Sequence, residues 1–532
     1  MHLPVLLPTV TNLIGFLNGP WVRWPLTGLY LLVLLMVAVY GLHRYWLVWL
    51  YYRHRRQVAR AKHRFVQLPR VTVQLPMFNE AQVARRIIDA ACRISYPGDR
   101  LQIQVLDDST DESAQIAETH VQHWQSSGVD IQYLHRPDRA GFKAGALQAA
   151  TGSATGELIA IFDADFVPDP DFLKRTVHHF CDETVGMVQT RWGHINRDDG
   201  MLTRSQAIFL DGHFLIEHGA RNRSDRWINF NGTAGVWRKS AIASAGGWQH
   251  DTLTEDVDLS YRAQLAGWKF VFLPRVECPA ELPPEINAFK AQQHRWTKGS
   301  IQTAIKLLPT LFRAKVPPRV KVEAFFHLTS PMVYLYVTLM VLLFYPAFYL
   351  NLTPFEDGSL SAVLLAATLL VMGTASASVF YIASQREQQR SVFKTVLQLP
   401  VLMSIGIGIA LNNARGCIEA LVGHQSPFVR TPKYNTTGND TPGRRTAVAP
   451  TPSIKMWMTI LELGMGVYTT KCARMAVDTE TGIISVPFLV LFAAGYWYVG
   501  LSSLWSHIQA WRGLKAGATA PRLPCSGTIR TR

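Results

Sequence analysis

Apolar and polar positions change their pattern twice along the chain. Between Trp24 and Leu42 there is no charged residue, and Leu and Val predominate. At about 1.5 Å per residue, a helix of that length crosses the hydrocarbon core of a bilayer. Residues 1–20 are also apolar, but Pro and Gly interrupt them, so they lie at the interface or join the first span. From residue 71 to 300 the apolar runs become short. VTVQLP (71–76), IQVLDD (103–108), IQYLH (131–135), LIAIFD (158–163) and GMVQTRW (186–192) have the length and composition of strands. The segments between them look helical, as in EAQVARRIIDAACRI (80–94). Alternating strands and helices of this size predict an α/β fold with a mostly parallel sheet covered on both faces.

Long apolar stretches return from about residue 324. Ala324–Phe355, Gly358–Gln385 and Ile483–Trp511 contain no Asp, Glu, Lys or Arg, and each is long enough to span. Met456–Thr470 is shorter and holds Glu462; it spans if Lys455 and Lys471 snorkel to the interface. Residues 395–414 are apolar but contain Pro400 and several Gly. The expected organisation is an N-terminal membrane segment (1–52), an α/β domain (66–300), an amphipathic connection (301–323), a C-terminal membrane domain (324–511) and a basic tail (512–532).

Composition agrees with this division. Apolar residues make up 48 % and charged residues 17 %, against about 25 % charged in ordinary soluble domains. The net charge of +15 arises from basic clusters beside the apolar runs, at 43–65, 313–323 and after Arg512. Lys and Arg in such places mark cytoplasmic flanks and contact anionic lipid; no nucleic-acid partner is expected. The 71–323 domain is therefore placed in the cytoplasm, and the 352–357 loop, without Lys or Arg, outside. Keeping the basic loop 430–455 inside requires 395–414 to lie at the interface, which leaves about five spans. The six cysteines show no C-x-x-C spacing, so neither a zinc site nor a disulfide framework is expected. The absence of Lys and Arg before Arg23 argues against a cleaved signal peptide, and no P-loop indicates an ATPase.

The acidic residues supply the candidate chemistry. VLDDST carries Asp107 and Asp108, FDADF carries Asp163 and Asp165, and TEDVDLS carries Glu255, Asp256 and Asp258. The first two pairs stand at the carboxyl ends of predicted strands, where α/β sheets bind ligands. Carboxylates there suit Mg²⁺ or Mn²⁺ held against a diphosphate, while a separate carboxylate deprotonates an attacking hydroxyl. This division of labour fits group transfer from a nucleotide-activated donor. Lys143 can neutralise phosphate, Arg295 can fork onto it, and Trp296 offers a flat face to a sugar ring. Plainer readings exist: early acids are favoured by a helix dipole, and Trp is common at membrane interfaces.

In order, Asp108, DAD, TED and QQHRW resemble the D, DxD, TED, QxxRW pattern of processive family 2 glycosyltransferases, the cellulose synthase group. Within it the chain looks similar to the cellulose synthase-like A and C mannan and glucan synthases. LPMFNE (75–80), FKAGAL (142–147), FDADFVPDPDFL (162–173), FNGTAGVWR (230–238) and AGGW (245–248) extend the match across about residues 70–300. The resemblance implies a GT-A catalytic domain inserted in a multi-span α-helical membrane domain, in a bacterial inner membrane or a Golgi-type membrane. It implies that Asp108, with Asp107 beside it, and Lys143 contact the donor. Asp163 and Asp165 would bind its diphosphate through Mg²⁺ or Mn²⁺, Asp165 more directly. Asp256, with Glu255 next to it, would be the base. Gln292, Arg295 and Trp296 would hold the diphosphate and acceptor sugar, with Gly232 and Thr233 also on the acceptor side. FVRTPKYN (428–435) resembles the family's gating loop and would bring Thr431 and Lys433 to the phosphates.

The expected activity is inverting polymerisation of hexose into a β-glycan that leaves through the spans after Trp296. UDP-glucose and a β-1,4-glucan come first, on the slight lean of VECPAELP (276–283), and GDP-mannose and a β-mannan second. Beyond the glycan acceptor and the bilayer, export or accessory subunits are possible partners. The chain ends about 20 residues after its last apolar run, so no C-terminal cyclic-di-GMP-binding domain is expected. One rival is non-processive transfer to a membrane lipid. Another is a non-catalytic export scaffold, which the complete set of carboxylates disfavours.

Overall fold

The computed structural model describes residues 19–350, 360–425, 432–433, 435, 455–478 and 482–519. Helix α1 (Pro20–Arg53) leads to a βα alternation: β1 (Val71–Met77), α2 (Ala84–Cys92), β2 (Leu101–Asp107), α3 (Ser113–Ser126), β3 (Ile131–His135), α4 (Phe142–Thr151) and β4 (Leu158–Ile161). Then come β5 (Val185–His194), α5 (Met201–Asp211), β6 (Gly235–Arg238), α6 (Glu255–Leu265) and β7 (Lys269–Ala280). The strands form one sheet in the order β3-β2-β1-β4-β6-β5-β7. All neighbours are parallel except β6, which runs antiparallel to both β4 and β5. The five predicted strands are present; β6 and β7 were not foreseen. The order reverses at β1 and β4, which opens a ligand crevice beyond their carboxyl ends.

Apolar residues cover both faces of the sheet. Val71, Val73 and Leu75 of β1 pack with Ile87 and Ile88 of α2, and Ile159 and Ile161 of β4 pack on the other face with Leu147, Trp237 and Phe270. Thr72 and Gln74 alternate with the valines yet are fully buried. Their register partners receive them: Thr72 Oγ1 donates to Gln102 Oε1 (2.8 Å) and Gln74 Nε2 to Gln104 Oε1 (3.0 Å). Buried polar groups need such partners, and a one-residue slip would separate them, so the pairs set the β1–β2 register.

Helix α7 (Ile286–Arg313) follows β7 and runs straight through the boundary expected at residue 300. The apolar stretch 324–355 is divided at Pro331 between α8 (Pro318–Thr329) and α9 (Met332–Tyr349). Next come α10 (Leu360–Glu387), α11 (Val392–Gly408), α12 (Ala410–Leu421), α13 (Met456–Val477) and α14 (Val486–Thr519). Among the described residues, Pro20–Arg53, Met332–Tyr349, Val392–Leu421 and Val486–Arg512 are long and apolar enough to cross a membrane. Residues 395–414 thus fall in one of these stretches, which is divided at Ile409.

Buried polar contacts fasten the sheet domain to these helices. Arg197 bridges Asp211 (2.6 Å) and Gln385 of α10 (2.8 Å). Arg221 pairs with Glu323 of α8 (2.9 Å), and among the helices themselves Tyr51 of α1 donates to Glu387 of α10 (2.7 Å).

Candidate active site

A cavity of about 170 Å³ opens at the carboxyl ends of the strands, lined by residues from the sheet, from α6 and from α7. Asp108 and Asp163 enter it just beyond β2 and β4, on either side of β1. Asp108 is nearly buried and is gripped by a fork from Arg136, with Nε to Oδ1 at 2.7 Å and Nη2 to Oδ2 at 2.6 Å. Asp107 does not reach the cavity. The period of two turns it inward, where its carboxylate accepts from the Ser109 backbone N–H (3.0 Å) and the Tyr133 hydroxyl (2.7 Å). Its expected contact with the donor is corrected to a structural role.

The DAD carboxylates each meet an ammonium group. Lys143, at the start of α4, donates to Asp163 Oδ1 (2.5 Å) and to the Gly232 carbonyl (2.8 Å). Lys433 lies 2.6 Å from Asp165 Oδ2. Asp165 Oδ1 is buried with no hydrogen-bond partner. A buried carboxylate with one orphaned oxygen, the other oxygen satisfied by a cation, fits a divalent ion. No group of three or more His, Cys, Asp or Glu side chains that could hold a metal ion occurs among the described residues. A bound Mg²⁺ or Mn²⁺ would therefore need substrate phosphates and water, as Mg²⁺ sites commonly use.

Glu255 and Asp256 occupy the first turn of α6 and both line the cavity. Burial, then the adjacent Glu255 carboxylate, raise the Asp256 carboxyl to about 7, and Lys143 opposes them. Burial would lower the Lys143 ammonium, but Asp163, Glu255 and Asp256 outweigh it and hold its pKa above the ordinary value. Asp258, in the same motif and on α6, is buried and paired with Arg262 (2.6 Å) and Lys306 (2.8 Å). Gly232 has φ +81°, and a Cβ there would stand 3.0 Å from Asp256 Oδ2. Thr233 is fully buried and accepts the Asp163 backbone N–H through Oγ1 (2.9 Å). It shapes the loop and does not line the cavity, which corrects its expected place on the acceptor side.

Gln292, Arg295 and Trp296 sit at i, i+3 and i+4 on α7, a spacing that puts them on one face, and all three line the cavity. Trp192, at the end of β5, sets its ring 6.4 Å from that of Trp296 at an interplanar angle of 54°. His194 lines the same wall, and burial lowers its pKa to about 4, so its ring is neutral. Sequence reasoning missed Trp192, His194, Arg136, Phe78, Arg139 and Arg86. Arg86 donates to Glu281 (2.5 Å) and to the Asp165 carbonyl (3.3 Å). Position beyond a strand end was the one signal available for Phe78. Thr431 lies outside the described residues.

Comparison with known proteins bears on residues 69–299, which match the family model described as glycosyltransferase like family 2. The chain is 45 % identical over 252 residues to glucomannan 4-β-mannosyltransferase 2 of Arabidopsis thaliana, covering 46 % of this chain and 47 % of that protein. It is 45 % identical over 254 residues to glucomannan 4-β-mannosyltransferase 1 of Oryza sativa subsp. japonica, covering 46 % and 48 %. The chain thus spans about half the length of the curated relatives it matches. A solved structure, the mannosyltransferase PcManGT from Pyrobaculum calidifontis in complex with GDP-Man and Mn²⁺, overlaps 68 % of this chain and 98 % of its own, at 23 % identity and a TM-score of 0.48. The sheet order and the cavity at its carboxyl edge agree with that match: residues 69–299 are similar to family 2 glycosyltransferase domains.

Proposed function

We propose that the chain is an inverting membrane glycosyltransferase that moves hexose from a nucleotide-sugar onto a growing β-glycan. The observation that carries this reading is the composition of the single cavity shared by Asp163, Asp165, Lys143, Arg295, Asp256 and Trp296. Cationic side chains suited to a diphosphate stand there beside a carboxylate base and an aromatic platform. Asp256 takes the proton from the acceptor hydroxyl, whose oxygen bonds to the anomeric carbon as the bond from that carbon to the diphosphate breaks. Attack opposite the leaving group inverts an α-linked donor to a β-linked product. Lys143, Arg295 and Lys433 balance charge on the departing diphosphate, and Trp296 holds the acceptor ring. A divalent ion held by Asp165 and Asp163 would supply further charge neutralisation.

Mannose from GDP-mannose now ranks ahead of glucose from UDP-glucose. Both relatives are named mannosyltransferases, and their 45 % identity outweighs the lean of one eight-residue stretch toward glucan. The membrane arrangement expected from charge, with a cytoplasmic catalytic domain, about five spans and 395–414 at the interface, belongs to this proposal.

The test supplies membranes holding the full chain with labelled GDP-mannose or UDP-glucose and Mn²⁺ or Mg²⁺, then digests the product with linkage-specific hydrolases. High-molecular-weight, β-mannanase-sensitive label from GDP-mannose is the expected result. Label from UDP-glucose alone would restore the glucan reading. Label confined to the lipid extract would replace polymer synthesis by glycolipid synthesis.

A further inference from the structure

We propose that His194 reads the acceptor glycan one ring behind the sugar being extended, accepting a hydroxyl hydrogen of that ring at Nδ1. This rests on the glycan-acceptor reading above and assigns a second sugar position in the same cavity. The sheet sets the place. Trp192 and His194 close β5 at i and i+2, so both side chains leave the same face of the strand, and both line the cavity. Strand β6 separates β5 from β4, and so from the DAD carboxylates. Trp192 borders Trp296, the ring proposed to carry the acceptor sugar. His194 lies two residues further along, its Nε2 4.0 Å from Asp211 Oδ1. The other oxygen of Asp211 accepts from Gln385 of α10 (2.9 Å). A glycan that starts at Asp256 and passes the two tryptophans therefore meets His194 on the side of α10.

His194 lacks a partner that burial demands. Its side chain is 3 % exposed, and neither ring nitrogen has a hydrogen-bond partner among the described residues. Burying a polar group unpaired costs free energy, so nearly all such groups are paired with protein, water or ligand. Asp211 decides which nitrogen awaits a donor. Arg197 and Gln385 both donate to its Oδ2, and Arg197 overcomes burial to hold the carboxyl below its ordinary range. The carboxylate is too far from Nε2 for a hydrogen bond, but its charge draws the single proton of the neutral ring to that side. Nδ1 is left as a lone-pair acceptor away from Asp211.

The neighbouring group favours a sugar over an acyl chain. Trp192 Nε1–H is also buried with no partner among the described residues. The wall thus offers one acceptor and one donor beside an aromatic face. A sugar ring packs its C–H face on such a surface and presents hydroxyls that satisfy both groups. An acyl chain would leave both unpaired.

The test titrates β-1,4-mannotetraose, and analogues deoxygenated at single positions of the ring behind the growing end, into the full chain in nanodiscs holding GDP and Mn²⁺. Calorimetry reads the affinity, and cellotetraose is run in parallel. His194→Phe keeps an aromatic ring and should weaken the tetraose about three- to tenfold, the usual share of one uncharged hydrogen bond. One deoxygenated analogue should lose the same factor on the unaltered protein and nothing further on His194→Phe, the signature of a coupled pair. His194→Asn, whose amide oxygen reaches the place of Nδ1, should recover part of the loss, and GDP affinity should stay constant throughout. Unchanged tetraose affinity in His194→Phe would overturn the assignment. So would analogues that all fall by the same factor on both proteins, or a parallel fall in GDP affinity, which would mean that His194 supports the fold and not the glycan. In each of these cases the glycan-acceptor reading stands. Unaltered protein that binds GDP but neither tetraose would overturn that reading and this inference together.

Discussion

At the scale of residues, Asp256 governs the proposed chemistry because burial and two neighbours set its charge. Burial and Glu255 push its carboxyl up to about 7, and Lys143 pulls it down. A general base works only when deprotonated, so kcat/KM should fall as pH drops through about 7 and level off above it. Glu255→Gln removes the like charge and should move that acid limb to lower pH. Asp256→Asn should cut kcat by about 10² to 10⁴-fold, the usual share of general base catalysis, with nucleotide binding retained. An acid limb that stays in place in Glu255→Gln would remove Glu255 from this role. Gly232 is the second critical position. Its φ of +81° strains any other residue, and an added methyl would crowd Asp256 Oδ2 at 3.0 Å. Gly232→Ala should therefore lower kcat by up to about 100-fold through misplacement of the base, without unfolding the domain. Unchanged kcat at saturating donor would show that the loop relaxes away.

At the scale of elements, α7 does two jobs with one face. Gln292, Arg295 and Trp296 reach the cavity, and the same stripe continues through Gly299, Gln302 and Thr303. Gln302 Oε1 accepts the Leu253 backbone N–H (3.0 Å), and Thr303 Oγ1 meets Thr254 Oγ1 (3.2 Å). Gly299 permits the close approach, since a Cβ there would lie 2.5 Å from Thr254 Cγ2 and 2.8 Å from its backbone N. The helix proposed to receive the acceptor thus positions the loop that ends at Asp256. Gly299→Ala should slow transfer and raise acceptor KM while nucleotide affinity stays within about twofold, since the cavity residues that follow β1 to β3 are untouched. A loss of GDP affinity instead would mean that the whole domain had shifted. The QQHRW cluster was legible in the sequence; its place on one helical face that continues to residue 303 was not, because Gly, Gln and Thr carry no apolar signal.

At the scale of the whole molecule, buried ion pairs join the sheet domain and α7 to the C-terminal helices. Lys290 of α7 meets Glu462 of α13 at 2.6 Å, and its Nζ also donates to Ser503 of α14 (3.1 Å); both charged side chains are fully buried. Breaking a buried pair strands a charge, at about 3–5 kcal/mol, whereas replacing both partners by apolar groups is often neutral. Glu462→Ala should therefore lower the unfolding temperature in detergent clearly, and Lys290→Met combined with Glu462→Leu should recover most of it. Equal losses in the single and double variants would show that the contact is not an isolated pair. The sequence reading saw Glu462 as a burden on a marginal span; its partner lies 172 positions earlier in a helix assigned to another domain.

By itself, the sequence determined the α/β alternation, the apolar stretches and the carboxylates that close predicted strands, because these depend on local period and composition. It also singled out Asp108, Asp163, Asp165, Asp256, Arg295 and Trp296 as short words in the chain, and these residues line one cavity. Only the tertiary structure decided that β6 enters the sheet antiparallel, that Asp107 and Asp258 face inward, and that Arg139 and Trp192 join the cavity. The reason is physical. Whether a polar side chain meets ligand or core depends on which strands become neighbours. That in turn is set by burial and by paired hydrogen bonds between residues far apart in the chain.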